Sequence, residues 1–423
     1  MNTKLKVAFL GMSHLGIVSA ISLATRNFEC FGVDTNSSVI DDLNLRKWPI
    51  REPNLDETFE TAKDNLTFTS DINKLSNCEI IYISKDVPTD DSGNSDLREV
   101  EKLIELASQI AAITTQIIIL CQVPPGFTRE MKKYHSNISY QVETLIFGEA
   151  FSRALQPERI IIGLDNPNMP LKSNYNSILT SFSCPIISVD FETAEFIKLS
   201  INAYLAASVA TTNSLNGLAT FIGADWTSIK QSLMLDKRIG KYAYLSPGLG
   251  ISGGNIERDL RTLDNLALVQ NKNQVSLFRT YLENSQLNKE WLNSIIDREV
   301  LSQNPNAKIG ILGIAYKENT NSTKNSLALT IVAKYSKNII GAYDPAAVFP
   351  EDLSYIKVFS TSQECIKASD VIIIVTPWSE FSKIDLDQIP NKDLNKLIVI
   401  DPFRIFSSSV KSNETKIRKL LVK

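Results

Sequence analysis

The stretch Lys6-Val7-Ala8-Phe9-Leu10-Gly11-Met12-Ser13-His14-Leu15-Gly16 decides how the rest of the chain is read. A short β-prone apolar run meets a glycine, and an apolar segment of helical length follows, which is strand, tight turn and helix. The spacing is G-x-G-x-x-G with Ser13 in place of the middle glycine. In that pattern the first glycine permits the turn, the second admits a pyrophosphate to the backbone, and the third lets helix and strand pack closely. Serine is the smallest replacement that keeps some of that access. The helix N-terminus supplies amide donors for phosphate oxygens. The next strand, FECFGVD (28–34), ends at Asp34, eighteen residues past Gly16. An acid there can accept both ribose hydroxyls of NAD and would repel a 2′-phosphate. The cofactor expectation is NAD on Gly11, Ser13, His14, Leu15, Gly16 and Asp34. Lys4 and Lys6 ahead of this apolar run also imitate an export signal, but Ser13, His14 and the glycines interrupt it and a strand follows at once. The unit reads as strand–turn–helix–strand, and the expected location is cytoplasmic.

Outward from this unit, strand and helix signals alternate. EIIYIS (79–84), TQIIILCQV (115–123), SYQVET (139–144) and ERIIIG (158–163) are short β-rich runs separated by segments of helix length. Alternation of this kind predicts a parallel sheet with helices on both faces. From about Asp190 the texture changes: FETAEFIKLSINAYLAASVATTNSLNGLATF holds no proline and repeats apolar or small residues every three or four positions. It predicts one long helix, buried along much of its length. After Asn304-Pro305 alternation returns in KIGILGIAY (308–316), NIIGAYDP (338–345), IKVFS (356–360), DVIIIVTP (370–377) and LIVIDP (397–402). The expected fold class is α/β: two doubly wound, Rossmann-like parallel-sheet domains, 1–189 and 301–423, joined by a central helical domain, 190–300. A cleft between two such domains is a natural place for a ligand.

Composition narrows the function classes. The 423 residues carry 44 basic and 47 acidic side chains, a net charge of −3, so there is no basic excess to hold a nucleic acid. No apolar run approaches membrane-spanning length. Five cysteines without C-x-x-C spacing argue against a disulfide framework or a structural zinc site, and two histidines argue against a His-ligated metal. The expectation is no metal, no membrane and no nucleic acid. Trp48, Trp226, Trp291 and Trp378 are scattered and read as packing residues rather than a sugar platform.

Motifs spread from Lys6 to about Arg404 then resemble one family, the UDP-glucose/GDP-mannose dehydrogenases. WPIREPNL (48–55) is similar to that family's loop around an invariant Glu-Pro, and VPTDDSGNSDL (87–97) to its "TP…G..DL" segment. VPPGFTR (123–129) and VETLIFGEAFSRALQPERIIIG (142–163) resemble its "STVPVGT" and "PEFLREG…PDRIVIG" segments. AEFIKLSINAYLA (194–206), DKRIGKYAYLSPGLGISGGNIERDL (236–260), LGIAYKENTNSTKNS (312–326) and TPWSEF (376–381) follow in the family's order. The resemblance implies NAD-dependent oxidation of the C6 alcohol of a nucleotide sugar, with a UDP-hexose such as UDP-glucose as substrate, in surface-polysaccharide synthesis and as a homodimer.

The departures concern the second half of that chemistry. The family's nucleophilic cysteine falls on Asn255, which cannot form the thiohemiacetal and thioester a thiolate forms. The second acid of "PEFLRE" falls on Phe147, and the Ser-Thr pair of "STVP" on Cys121-Gln122. What remains suits a first hydride transfer. Lys198 and Asn202, four apart, project from one helix face. The resemblance implies that Lys198 holds or takes the alcohol proton, Asn202 orients the oxygen, Asp259 balances the charge of Lys198, and Glu143 positions water. By the same resemblance Arg258 and Lys324 serve the cofactor. Arg238, Tyr244, Gly250 and Lys317 serve the substrate, Arg238 by reaching into a neighbouring subunit. Two versions of the reaction stay open: one oxidation ending at the aldehyde (or at another sugar carbon), or two, the second through the gem-diol. A third reading is a nucleotide-sugar binder that has lost the chemistry.

Overall fold

The computed structural model describes residues 4–89, 95–270, 276–386, 389, 396–407 and 418–421. Residues 90–94 of the VPTDDSGNSDL motif lie outside the described residues. The chain falls into two compact units, Met1–Ile201 and Asn202–Lys423.

The first unit is built on an eight-stranded sheet. Its strands are β1 (Lys6–Leu10), β2 (Glu29–Val33), β3 (Leu66–Thr69), β4 (Ile80–Ile83), β5 (Gln116–Ile119), β6 (Ile138–Gln141), β7 (Ile160–Leu164) and β8 (Ile186–Asp190). Their order is β3-β2-β1-β4-β5-β6-β7-β8. Every neighbouring pair is parallel except β6–β7, which is antiparallel. The strands on which the sequence reading rested are the ones buried on both faces. Val7, Phe9, Ile80, Tyr82 and Ile118 enter one core with the helix His14–Ala24. Ala8, Leu10, Ile81, Ile83, Ile117 and Ile119 enter the other with the helix Arg98–Ile110. This is the period-two division expected of strands covered on both sides. β3 and β8 close the sheet edges, and the sequence reading missed both. LTFT and IISVD carry too few buried residues to stand out from loops.

The second unit carries a five-stranded, all-parallel sheet. It comprises β9 (Ile309–Leu312), β10 (Ile339–Tyr343), β11 (Val371–Ile374), β12 (Ile398–Asp401) and β13 (Arg418–Leu421), in the order β10-β9-β11-β12-β13. IKVFS, expected as a strand, forms only an isolated bridge between Val358 and Ala342, and the fifth strand is β13 instead. Four buried residues in each of β9 and β11 form the centre of the core. Ahead of this sheet run the helices Trp226–Leu235, Asn255–Gln270 and Leu277–Ile295.

The long helix is Phe191–Phe221, 31 residues. It was expected to be buried along much of its length, and its burial is mixed. Ala206, Thr212, Asn213, Asn216 and Ala219 are buried, whereas Tyr204, Leu215, Leu218 and Phe221 are exposed, Tyr204 at 81% and Phe221 at 88%. Among the described residues no helix is long and apolar enough to cross a membrane.

Candidate functional site

In the first unit the glycine turn has the geometry that its spacing predicts. Gly11 lies at φ +103°, a conformation that a side chain strains, and its N–H donates to Val33 O at 2.8 Å. A Cβ on Gly16 would press into the carbonyl of Gly11 and come within 3.0 Å of Ser84 Oγ, so only glycine lets the helix start this close to the turn. Ser13 stands at the N-cap without capping through its side chain. Its hydroxyl instead accepts from Asp86 N at 2.7 Å and donates to Ser84 O at 3.4 Å, tying the turn to the segment after β4. The leading amides of the helix are thus left for an anion. Asp34 is buried at the end of β2. Its Oδ2 accepts from Met12 N at 2.8 Å and its Oδ1 from Asn36 N at 2.9 Å. A carboxylate has about four lone-pair directions, so acceptor capacity remains for ribose hydroxyls. Lys85 Nζ lies 3.9 Å from Asp34, a neighbour that sequence reasoning did not single out. These groups fit NAD.

The His14 side chain, expected beside the cofactor, has its ring turned into the protein. Its imidazole is buried, 2.8 Å from Glu52 Oε1, and stacks on Phe147 with ring centroids 4.0 Å apart. Leu15 is likewise buried in the core below the turn, so its side chain serves packing.

Also in the first unit, Lys198 of the long helix is 9% exposed, and its Nζ lies 3.9 Å from Glu143 Oε2. Glu143 follows β6, and its other carboxylate oxygen accepts from the N–H of Leu145. Burial pushes the Glu143 carboxyl above the usual glutamate value, with Lys198 opposing the shift. Glu195, three residues before Lys198, is fully buried and accepts from Gly126 N at 2.6 Å and Thr128 N at 2.8 Å. It holds the VPPGFTR loop against the helix, a role that sequence reading did not assign.

In the second unit Asn202 is buried and its amide donates to Asp259, whose other oxygen accepts from Arg258 Nε at 3.2 Å. Asp259 and Arg258 are both nearly inaccessible, so Arg258 is engaged inside the protein. Asn255 is exposed and is the first residue of the helix Asn255–Gln270. The loop ahead of it is pinned at three points. Gly248 N donates to Asn213 Oδ1 at 2.8 Å, Thr212 Oγ1 donates to Tyr244 O at 2.8 Å, and Ile251 N donates to Ser285 Oγ at 2.8 Å. Gly250 at φ +93° has Ser285 O within 2.7 Å of where a Cβ would stand.

The LGIAYKENTNSTKNS segment packs on the same loop. Asn325 donates to Gly253 O at 3.1 Å and to Glu257 Oε2 at 3.2 Å, and the aliphatic end of Lys324 lies against Gly254. Lys317 Nζ lies 5.9 Å from the centre of the Tyr316 ring, which itself covers Gly253. Two motifs far apart in sequence therefore meet beside Asn255. Arg238 stands apart from these contacts, exposed and paired with Asp236 at 2.7 Å.

None of the five cysteines is an activated nucleophile. Cys30, Cys78, Cys121 and Cys365 are buried and Cys184 is partly buried. Burial raises every one of these thiols, Cys78, Cys121 and Cys365 to about 12, which keeps them protonated at neutral pH. Among the described residues no group of three or more His, Cys, Asp or Glu side chains is placed to hold a metal.

Comparison with known proteins adds three matched segments in sequence order. Residues 5–181 match the UDP-glucose/GDP-mannose dehydrogenase family, NAD binding domain; 192–286 match its central domain; 310–408 match its UDP binding domain. The chain is 28% identical over 405 residues to the UDP-glucose 6-dehydrogenase of Rickettsia bellii (strain RML369-C), covering 91% of this chain and 92% of that protein. It is 26% identical to the UDP-glucose 6-dehydrogenase TuaD of Bacillus subtilis (strain 168), covering 95% and 90%. Among solved structures, a UDP-glucose dehydrogenase from Pyrobaculum islandicum superposes with a TM-score of 0.81 at 20% identity, covering 99% of this chain and 98% of that one. A UDP-D-ManNAc dehydrogenase from Pyrococcus horikoshii superposes with 0.82 at 22%, covering 98% and 99%. At these identities the superpositions establish the fold.

Proposed function

We propose, from the premise that this chain belongs to the UDP-glucose/GDP-mannose dehydrogenase family, that it oxidises the C6 alcohol of a UDP-hexose of the UDP-glucose class without a covalent enzyme intermediate. The chain is an NAD-dependent nucleotide-sugar dehydrogenase. When bound, NAD accepts a hydride from the carbinol carbon. Gly11, Ser13, Leu15 and Gly16 offer the turn and helix amides to the pyrophosphate, and Asp34 accepts from the ribose. Arg258 and Lys324 are assigned to the cofactor, with Arg258 acting from its pair with Asp259. The segments 1–189, 190–300 and 301–423 are assigned to cofactor, helical linker and nucleotide.

The observation that carries the chemistry is the buried Lys198 beside a Glu143 held above the ordinary glutamate range. Buried charge is costly unless it is paired or used, and perturbed groups of this kind gather at reacting sites. Lys198 holds the alcohol proton, Asn202 orients the oxygen through its bond to Asp259, and Glu143 takes a proton from water. Tyr244, Gly250 and Lys317 contact the nucleotide sugar. Asn255 supports a route free of thioester: the alcohol loses a hydride and a proton to give the aldehyde. Addition of water gives a gem-diol, which is again an alcohol and loses a second hydride, to a second NAD, and a proton to give the acid. The exposed stripe Tyr204, Leu215 and Leu218 on the long helix supports a homodimer, with Arg238 reaching the partner.

NADH formed per UDP-glucose consumed, with mass spectrometry of the product, tests this reading. Two NADH and a uronate are expected. One NADH and an aldehyde would limit the chain to a single oxidation. UDP-glucose binding without turnover, unchanged by Lys198→Ala, would make it a binding protein.

A further inference from the structure

Glu52 lies in the loop WPIREPNL, remote in sequence from every residue given a chemical role above. Its side chain is fully buried, and among the described residues no lysine or arginine lies within ion-pair distance of it. Three donors from two separate segments meet on it. His14 Nε2 lies 2.8 Å from Oε1, Gly148 N donates to Oε1 at 2.9 Å, and Ala150 N donates to Oε2 at 3.2 Å. His14 is the first residue of the helix that leaves the glycine turn. Gly148 lies in the loop that begins at Glu143, where the Glu143 carboxylate accepts from Leu145 N, and Ala150 opens the helix Ala150–Leu155 that ends this loop. A second contact spans the same two segments, the stack of His14 on Phe147. Gly148 adopts φ +81°, turning its N–H toward Glu52 within a loop that has no strand to hold it.

A loop needs a fixed acceptor to stay in one conformation, and a buried carboxylate that takes several donors is a strong one, because charge-assisted bonds are roughly twice as strong as neutral ones. Removing it leaves three buried donors unsatisfied. We propose that Glu52 is a positioning residue that locks the cofactor turn to the Glu143 loop, so that NAD affinity and turnover share one control point. His14 is the arm of this device on the cofactor side. It acts on NAD through the start of the helix rather than through its ring. The inference rests on the dehydrogenase reading for its turnover arm and stands on NAD binding alone for the other.

Glu52→Gln in the full-length protein is the test, read by calorimetric NAD affinity, by kcat and by thermal melting. Glutamine keeps one acceptor but turns a donor toward the N–H of Ala150 or toward His14. The expected result is an NAD Kd raised about tenfold together with a kcat lowered about tenfold, as for the loss of one or two charge-assisted bonds. His14→Phe keeps a ring against Phe147 and loses only the bond to Glu52. It is expected to raise the NAD Kd about threefold to tenfold, with His14→Gln, which retains a donor, closer to wild type. It also keeps the test decisive if Glu52→Gln does not fold. A lower melting temperature with Kd and kcat unchanged in both variants would reduce Glu52 to a structural role and overturn the proposal. Wild-type protein that binds NAD but oxidises no nucleotide sugar would sink the dehydrogenase reading instead, and the Kd arm would still decide the role of Glu52.

Discussion

The two sheets of this protein each carry the same device, a glycine at the end of a strand and an aspartate at the end of its neighbour, put to different ends. Gly11 lies at φ +103° and donates to Val33 O at 2.8 Å; Gly313 lies at φ +100° and donates to Tyr343 O at 2.8 Å. Asp34 accepts from Met12 N, and Asp344 accepts from Ile314 N and Ala315 N. There the likeness stops. Among the described residues Asp34 takes one more hydrogen bond, from Asn36 N, with Lys85 Nζ 3.9 Å away, and a helix begins two residues after Met12. Asp344 also takes Ala346 N, Ala347 N and Trp378 Nε1, and its turn leads into an irregular segment, with no helix until Leu327. One aspartate keeps acceptor capacity at the mouth of a helix, and the other is saturated by its own unit. A glycine–aspartate pattern therefore marks a ligand site only where the carboxylate is left partly unused and helix amides are close.

Substitution separates the two roles, and the largest effect is expected in the second unit. Asp344→Ala strands five donors and should destabilise that unit by about 3–5 kcal/mol, seen as a lower melting temperature or a separate early transition. An unshifted melt would mean that Asp344 is not structural. Asp34→Ala should shift the melt far less, by about 1–2 kcal/mol, and weaken NAD binding about tenfold or more. Equal NAD affinity in Asp34→Ala and wild type would mean that the two aspartates do not differ in role.

A smaller effect concerns pH. Because burial raises the folded-state pKa of Glu143, the native chain keeps that proton to higher pH than the unfolded chain. Stability contributed by the neutral carboxyl is then lost as pH rises from the ordinary glutamate value through the raised one. If Glu143 is the base, the acid limb of the kcat profile lies above the ordinary glutamate range for the same reason. Glu143→Gln should flatten both dependences, measured by melts and by initial rates across that window.

The strands β1, β4 and β5 were legible in sequence because burial on both faces demands nearly unbroken apolar runs. β3, β8 and β13 sit at or near sheet edges, where pairing rather than side-chain pattern makes the strand, and they were not legible. The register of the motifs singled out Lys198, Asn202 and Asp259 but not the groups they pair with. Lys198 meets Glu143, 55 positions earlier, and Asp259 meets its own neighbour Arg258. His14 was placed by sequence beside the cofactor, whereas its ring turns into the protein toward Glu52.

By itself the sequence determined the α/β alternation, the dinucleotide turn with its acid, the family, and the absence of a cysteine at Asn255. These depend on residue type at short spacing, where local sterics and periodicity act. Only the tertiary structure decided which carboxylates are saturated and which keep capacity, which thiols are buried, and that Glu52 binds two distant segments together. Those properties depend on which donors and how much water surround a group, and residues remote in the chain set both.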